Sequence, residues 1–178
     1  MAEGGEVQRR EWFRIEPQQT FPKKYDHIVQ IWDTAFKEGT ENDFSVCLTL
    51  AAAGGNFYVL DLLRQRMEWP MLLQDAAAQY QKHRTRLVPI EERASGISLL
   101  QAFHGQTRIP VKAVKAESSK LARTTSISGL VGSRRVFLPD GAAWIGVFLE
   151  ECATFPVGAH DDQVDALTHG LRCYMLNS

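Results

Sequence analysis

The sequence predicts a mixed α/β sheet covered by helices on both faces. Three observations carry this: an opening group of apolar, strand-like runs joined by turn residues, a later alternation of short apolar runs with segments of helical spacing, and a composition that suits one core. The chain has 178 residues, 44% hydrophobic and 23% charged, with a formal net charge of −1. That balance fits one globular domain and excludes a generally basic nucleic-acid coat, while a local basic face stays possible. The charged N-terminus lacks the apolar stretch of a signal peptide, and no run approaches the ~20 apolar residues of a membrane span. Cys47, Cys152 and Cys173 are odd in number, form no CxxC pair and sit in apolar runs. They are expected to be reduced and buried, in an intracellular protein.

Residues 1–25 are polar, carry Pro17 and Pro22, and show no periodicity beyond the pair Trp12 and Phe13. They are read as a linker, or an arm that docks on something, with the folded body starting at Asp26. "HIVQIWDTA" is an apolar strand that stops in the polar loop "FKEGTEND". "FSVCLTLAAAGGNFYVLDLLRQR" supplies two more strands turned by Gly54, Gly55 and Asn56, completing an antiparallel three-strand meander whose first strand ends at Asp33. "WPMLLQDAAAQYQKH" repeats Leu72, Ala76 and Tyr80 at helical spacing. "RLVPIEE" is again a strand, "SGISLLQAFHGQ" a helix opened by Ser95 and closed by Gly105, and "IPVKAVKA" a fifth strand. "SSKLARTTSISGLVGS" is a helix and "RVFLP" a short extended segment. "AAWIGVFLEECATF" and "DDQVDALTHGLRCYML" close the chain as helices separated by "PVGAH", with Trp144, Ile145, Phe148 and Leu149 spaced as core residues. The strands after the meander are expected to run parallel.

Acidic residues stand at strand ends: Asp33 after "IVQIW", and Glu91 with Glu92 after "LVPI". Reactive groups collect at such places because the sheet holds them rigidly while leaving them open to solvent. "HDDQVDAL" adds more carboxylates, and Asp161 or Asp162 with Asp165 project from one side of a helix that has begun by residue 161. Crowded carboxylates repel each other, and a hard cation such as Mg²⁺ or Mn²⁺ relieves the repulsion. Two such ions ~3.5–4 Å apart can activate water and stabilise a departing oxygen in phosphodiester hydrolysis. Each signal alone has a plainer reading. One aspartate of the pair can be an N-cap worth ~1 kcal/mol, Asp33 a loop acid, Glu91 and Glu92 solvated charges, and His160 a hydrogen-bonded structural histidine.

The order and wording of these segments are more specific than any one of them. "IVQIWDTA" with "NDFSVCL", then "VPIEERASGISLLQAF", "KLARTTSISGLVGSRRVFLP" and "FPVGAHDDQVDALTHGL", together resemble the C-terminal nuclease domain of the large terminase subunit of tailed bacteriophages and prophages. That enzyme cuts concatemeric viral DNA during genome packaging. The resemblance covers residues 26–174. It implies a ribonuclease H-like fold and acidic positions that bind two divalent ions, Mg²⁺ or Mn²⁺. Carried over, Asp33 is the first-strand aspartate bridging the metals, Glu91 the acid closing the next catalytic strand, with Glu92 second choice, and Asp162 the C-terminal ligand. Asp161, Asp165 and His160 become neighbours that ligate or tune, and Asp43 a further candidate in the loop after the first strand.

Under the same reading Lys120, Arg123, Arg134 and Arg135, with Lys112 and Lys115 upstream, form the most basic stretch and contact DNA phosphates without reading sequence. The alternative is a solvated helix face with Leu121 and Ile127 turned inward. Lys82, Arg84 and Arg86 read as charges at a helix C-terminus. The sequence carries no GxxxxGK[ST] phosphate loop. The expectation is an isolated nuclease domain, residues 26–178. Its expected partners are double-stranded DNA, a terminase ATPase domain, the small terminase subunit and the portal, in the bacterial host cytoplasm and not at a membrane. Two other readings stay open: a resolvase- or transposase-like nuclease of the same fold, and a non-catalytic docking module of the packaging motor.

Overall fold

The computed structural model describes residues 10–34, 44–91, 94–115 and 119–176. Its strands are β1 (Arg14–Glu16), β2 (His27–Asp33), β3 (Ser45–Ala53), β4 (Asn56–Gln65), β5 (Val88–Glu91), β6 (Val111–Val114) and β7 (Val136–Pro139). Its helices are α1 (Trp69–His83), α2 (Ala94–Gln106), α3 (Lys120–Gly132), α4 (Ile145–Thr154) and α5 (Asp162–Leu176). Asp43 and Glu92 lie outside the described residues.

The antiparallel meander is β2, β3 and β4, with Asp33 closing its first strand opposite Val46. Gly54 (φ 58°) and Gly55 (φ 79°) form its second turn, where both central positions need the left-handed region. "RVFLP" does more than extend: β7 enters the sheet parallel to β4, and β1 adds parallel to β7, giving the order β1-β7-β4-β3-β2. The "something" on which residues 10–25 dock is thus the protein's own sheet. Phe13 and Phe21 are buried there, Phe13 edge-on to Phe148 at 5.5 Å.

Strands β5 and β6 form a separate parallel pair. They meet β2 at the entry to β5, through a parallel bridge between Val29 and Leu87, with Gln30 N–H donating to Leu87 C=O at 3.2 Å and Arg86 N–H donating to Ile28 C=O at 3.1 Å. A physical reason is Pro89. Val88 N–H donates toward β6, to Pro110 C=O, so the next nitrogen faces β2, and there proline has no hydrogen to give.

The sheet is covered on both faces, as expected. Val29, Ile31, Val46, Leu48, Leu50, Val59 and Leu62 face α3, α4 and α5, packing on Ile127, Phe148, Cys152, Val164, Leu167 and Leu171. Trp32 and Cys47 face the other way, toward Leu72 and Ala76 of α1, Leu99 and Phe103 of α2, and Ile90 of β5. Gly170 sets how closely α5 lies on the sheet, because a Cβ there would stand 2.8 Å from Ile31 Cδ1 and 3.1 Å from Leu50 Cδ2.

Beneath α1 runs a polar row. Buried Gln30 donates from Nε2 to Thr49 Oγ1 (3.2 Å) and Gln79 C=O (2.7 Å), and Asp61, paired with Thr49, accepts from Lys82 Nζ (2.9 Å) and the His83 ring (3.0 Å). These bonds hold the Asp61 carboxyl down at about 2, the His83 hydrogen bond being the largest influence.

Several boundaries differ from the sequence reading. Helix α2 runs past Gly105 to Gln106, where Thr107 closes it by donating from both N–H and Oγ1 to Phe103 C=O. Helix α4 starts at Ile145, because Gly141 (φ 81°) and the residues after it first form a turn. Of its predicted core, Phe148 and Leu149 are buried, while Trp144 and Ile145 pack half-buried against them. Cys47 and Cys152 are free and buried, but Cys173 is only half-buried, beside half-exposed Arg172 on α5.

Candidate active site

The strand ends converge by simple geometry. Asp33 pairs with Val46, and Val46 pairs with Arg64. Directly opposed residues of antiparallel strands point to the same face, so half-buried Asp33 points to the side where Val46 is buried, the side covered by α5. Strand β5 runs parallel to β2 with Leu87 beside Val29. Four residues further along each, Glu91 and Asp33 close their strands at the same end of the fold. Helix α5 begins at that end too. Half-buried Asp161 precedes it, its C=O accepting from Asp165 N–H at 2.9 Å, and Asp162 is the first helical residue.

What fixes the start of α5 is a residue that sequence reasoning missed. Glu151 of α4, only 5% exposed, accepts from Gln163 N–H (2.7 Å) and Val164 N–H (3.1 Å), and from the Gln163 side-chain amide. These backbone amides are the ones an N-cap side chain of residue 161 would take. A carboxylate reaching across from the neighbouring helix does the capping, with its charge at the positive end of the α5 dipole. One signal was available: Glu151 falls on the apolar stripe of α4 between Phe148, Leu149 and Cys152, and carboxylates are rarely buried without partners.

The capping arrangement leaves Asp162 in a strained electrostatic position. Burial first, then the charges of Asp161, Glu151 and Asp165, push its carboxyl up to about 6, against the opposing pull of Arg64. Arg64 and Arg66 stack on Phe44, with Cζ at 3.6 and 4.6 Å from the ring centroid. Exposed His160 meets the same ring edge-on, at 5.6 Å and 89°, and so ties the turn before α5 to the strand ends.

The donor chemistry fits a hard divalent cation. Burial, and then the carboxylates of Asp161, Glu151 and Asp165, disfavour ionisation of Asp162, which a bound cation would reverse. Among the described residues, no group of three or more His, Cys, Asp or Glu side chains stands close enough to hold a metal ion as placed. Asp33 and the α5 acids are oxygen donors, and among the described residues no cysteine or multiple-histidine set that would favour a softer metal accompanies them.

Two of the expected phosphate-contacting residues, Arg134 and Arg135, lie away from this end of the fold. Arg134 Nη1 donates to Glu11 C=O (3.0 Å), and Arg135 Nε donates to Gly55 C=O (2.6 Å), at the hairpin end of β4 and so at the end of the sheet opposite Asp33. They pin the N-terminal segment and the hairpin. Lys120 and Arg123 lie in the first turns of α3. Exposed Lys115 is nearer the acidic end, directly after Val114, the partner of Glu91.

A family model for the terminase RNaseH-like domain matches residues 30–172, from within β2 to within α5. The chain belongs to this family. Solved structures of the family's architecture superpose on it. The large terminase nuclease of thermophilic phage G20c with bound magnesium has a TM-score of 0.70 at 17% identity, over 93% of this chain and 95% of that one. The large terminase nuclease domain of Thermus phage P74-26 has a TM-score of 0.64 at 16% identity, over 92% of each chain. A large terminase from a thermophilic bacteriophage has a TM-score of 0.69 at 15% identity and covers 96% of this chain, which spans only 46% of that protein's length. No curated protein matches. The fold is therefore the ribonuclease H-like fold of large terminase nuclease domains, a mixed sheet with helices on both faces. No helix among the described residues is long and apolar enough to cross a membrane.

Proposed function

We propose that this terminase RNaseH-like domain is a divalent-metal-dependent endonuclease that cuts double-stranded viral DNA during genome packaging. The observation that supports the reading is that β2 ending in Asp33, β5 ending in Glu91 and the start of α5 at Asp162 lie at one end of the fold. That large terminase nucleases of phage G20c have been crystallised with magnesium and with zinc supports a divalent cofactor. Asp33, Glu91 and Asp162 would hold two Mg²⁺ or Mn²⁺ ions, with Asp161 and Asp165 at hand. When bound, such ions make water a better nucleophile and stabilise the charge that develops on the phosphate.

The protein's own part is positioning. The main sheet carries Asp33, the β5–β6 pair bridged to β2 at Leu87 carries Glu91, and the Glu151 cap fixes where α5 starts and hence where Asp162 stands. Asp162 serves as a ligand in its ionised form, which the charge of Arg64 favours. His160, braced on Phe44, stands two residues from Asp162 and orients the turn. An ATPase domain, small subunit and portal are its proposed partners, in the cytoplasm of a bacterial host; the large terminase it matches extends well beyond this domain, which spans 46% of that chain.

Supercoiled plasmid incubated with the 178-residue chain is expected to be nicked and linearised with Mn²⁺ or Mg²⁺, and left intact with EDTA. Asp33→Ala and Asp162→Ala are expected to abolish cleavage. Wild-type cleavage by either variant in Mn²⁺ would overturn the assignment.

A further inference from the structure

Two arginines share one aromatic ring at the rim of the acidic site. Phe44, one residue before β3, carries Arg64 and Arg66 on its ring, and its edge meets His160. Arg64 closes the row Asp33, Val46, Arg64 across the sheet, so its side chain leaves the same face as Asp33. Arg64 is half-buried and Arg66 exposed. Arg64 Nε is shut away from solvent without a hydrogen-bond partner, so stacking and not that N–H holds the guanidinium in place.

A carboxylate cluster repels a polyanion. Asp33, Asp161, Asp162 and Asp165 all stand where a DNA strand would have to approach for its phosphodiester to reach them, and fixed cations at the rim offset that repulsion. Arginine suits this better than lysine. Its planar fork binds phosphate oxygens in pairs, stays charged at any working pH, and is weakly enough hydrated to stack on an aromatic ring. A ring that holds two forks at once keeps them spaced and oriented before any ligand arrives.

The geometry points to Arg64 and Arg66, braced on Phe44, as a phosphate clamp that grips the DNA backbone beside the acidic residues. The clamp rests on the nuclease reading, because the acids it serves are that reading's metal ligands. It is separate from the basic stretch of α3 and its following turn, whose Arg134 and Arg135 are spent on backbone carbonyls at the far end of the sheet. Phosphate contacts carry no sequence information, so the clamp sets affinity and register and not base preference.

Binding of a fluorescein-labelled duplex to the full chain, followed by anisotropy in EDTA over a range of KCl, tests it. Arg66→Ala and Arg64→Ala are each expected to weaken binding roughly tenfold and to flatten the slope of log Kd against log[KCl] by about 1. Arg66→Lys should recover the slope but not the full affinity, since it restores the charge without the fork. Arg66 is exposed, so its alanine variant should keep the wild-type fold even where Arg64→Ala does not. Wild-type affinity and slope in folded Arg66→Ala would overturn the clamp, as would a wild-type chain whose duplex binding does not depend on salt. The two ideas fail separately. Full cleavage by Asp33→Ala removes the nuclease reading while a changed salt slope keeps the clamp, and metal-dependent cleavage with an unchanged slope in Arg66→Ala removes the clamp alone.

Discussion

At the scale of single residues, the acidic site costs the fold stability. Asp162 is half-buried among other carboxylates, and its carboxyl is pushed up to about 6. Replacing it by asparagine keeps the shape and removes the repulsion. Asp162→Asn is therefore expected to raise the melting temperature of the metal-free chain at pH 7 by a few degrees, on the order of 1 kcal/mol, while abolishing cleavage. Thermal unfolding in EDTA measures this, and a lowered melting temperature would contradict it. Asp61 is the opposite case. Its carboxyl is held at about 2 by His83 and Lys82, below its ordinary value near 3.8. A depressed carboxylate contributes stability that is present above its unfolded value and lost as pH falls through its folded value. Asp61→Asn should thus lower stability by about 1 kcal/mol at pH 6, with the gap to wild type closing between pH 4 and pH 2 in urea titrations. A gap that persists unchanged at pH 2 would mean that packing, not charge, holds the end of α1. That strands end at Asp33 and Glu91 and that a helix starts at the Asp161–Asp162 pair could be read from sequence because each signal is local. Arg64 and Phe44 could not, since only the register of β3 against β4 and the reach of their side chains bring them to the acids.

At the scale of elements, the contact between α4 and α5 decides whether the site exists. Glu151 satisfies two backbone amides and one side-chain amide of α5 from inside the core. Removing it strands those donors where water does not reach, so Glu151→Ala is expected to cost about 2–4 kcal/mol and to cut cleavage at least tenfold. Glu151→Gln keeps an acceptor for Gln163 N–H and Val164 N–H, and the Gln163 amide can turn its oxygen toward the new one. It should retain most of both stability and cleavage. Equal losses in the two variants, in urea unfolding and plasmid cleavage, would show that charge and not the cap is what α5 requires. The motif "GAHDDQVDAL" announces a helix start, but the cap comes from residue 151, and no local spacing contains that information. The same holds for β5 and β6. Their apolar runs were legible as strands, whereas their departure from the main sheet depends on which neighbour the missing N–H of Pro89 faces.

At the scale of the whole molecule, the N-terminal segment belongs to the fold's stability. The three residues of β1 show too short a run for alternation to register, and their pairing with β7 joins positions more than a hundred residues apart, beyond the reach of any local pattern. Trp12 and Phe13 were the visible trace of this docking. Phe13 is 3% exposed and sits in the main core cluster against Phe148, while β1 extends the sheet beside β7 and Arg134 clamps the segment through Glu11 C=O. A linker residue changed to alanine shifts stability by no more than about 0.5 kcal/mol, whereas emptying a phenylalanine site in a packed core costs about 3–5 kcal/mol. Phe13→Ala is accordingly expected to lower the urea midpoint by an amount in the second range, with an unchanged m-value, because the sheet and the segment unfold as one cooperative unit. A change within the first range would place the boundary of the stable body at Asp26. The larger loss would make residues 10–25 part of the sheet that carries Asp33 and packs against α5, so that anything pulling on this segment also bears on the acidic end of that sheet.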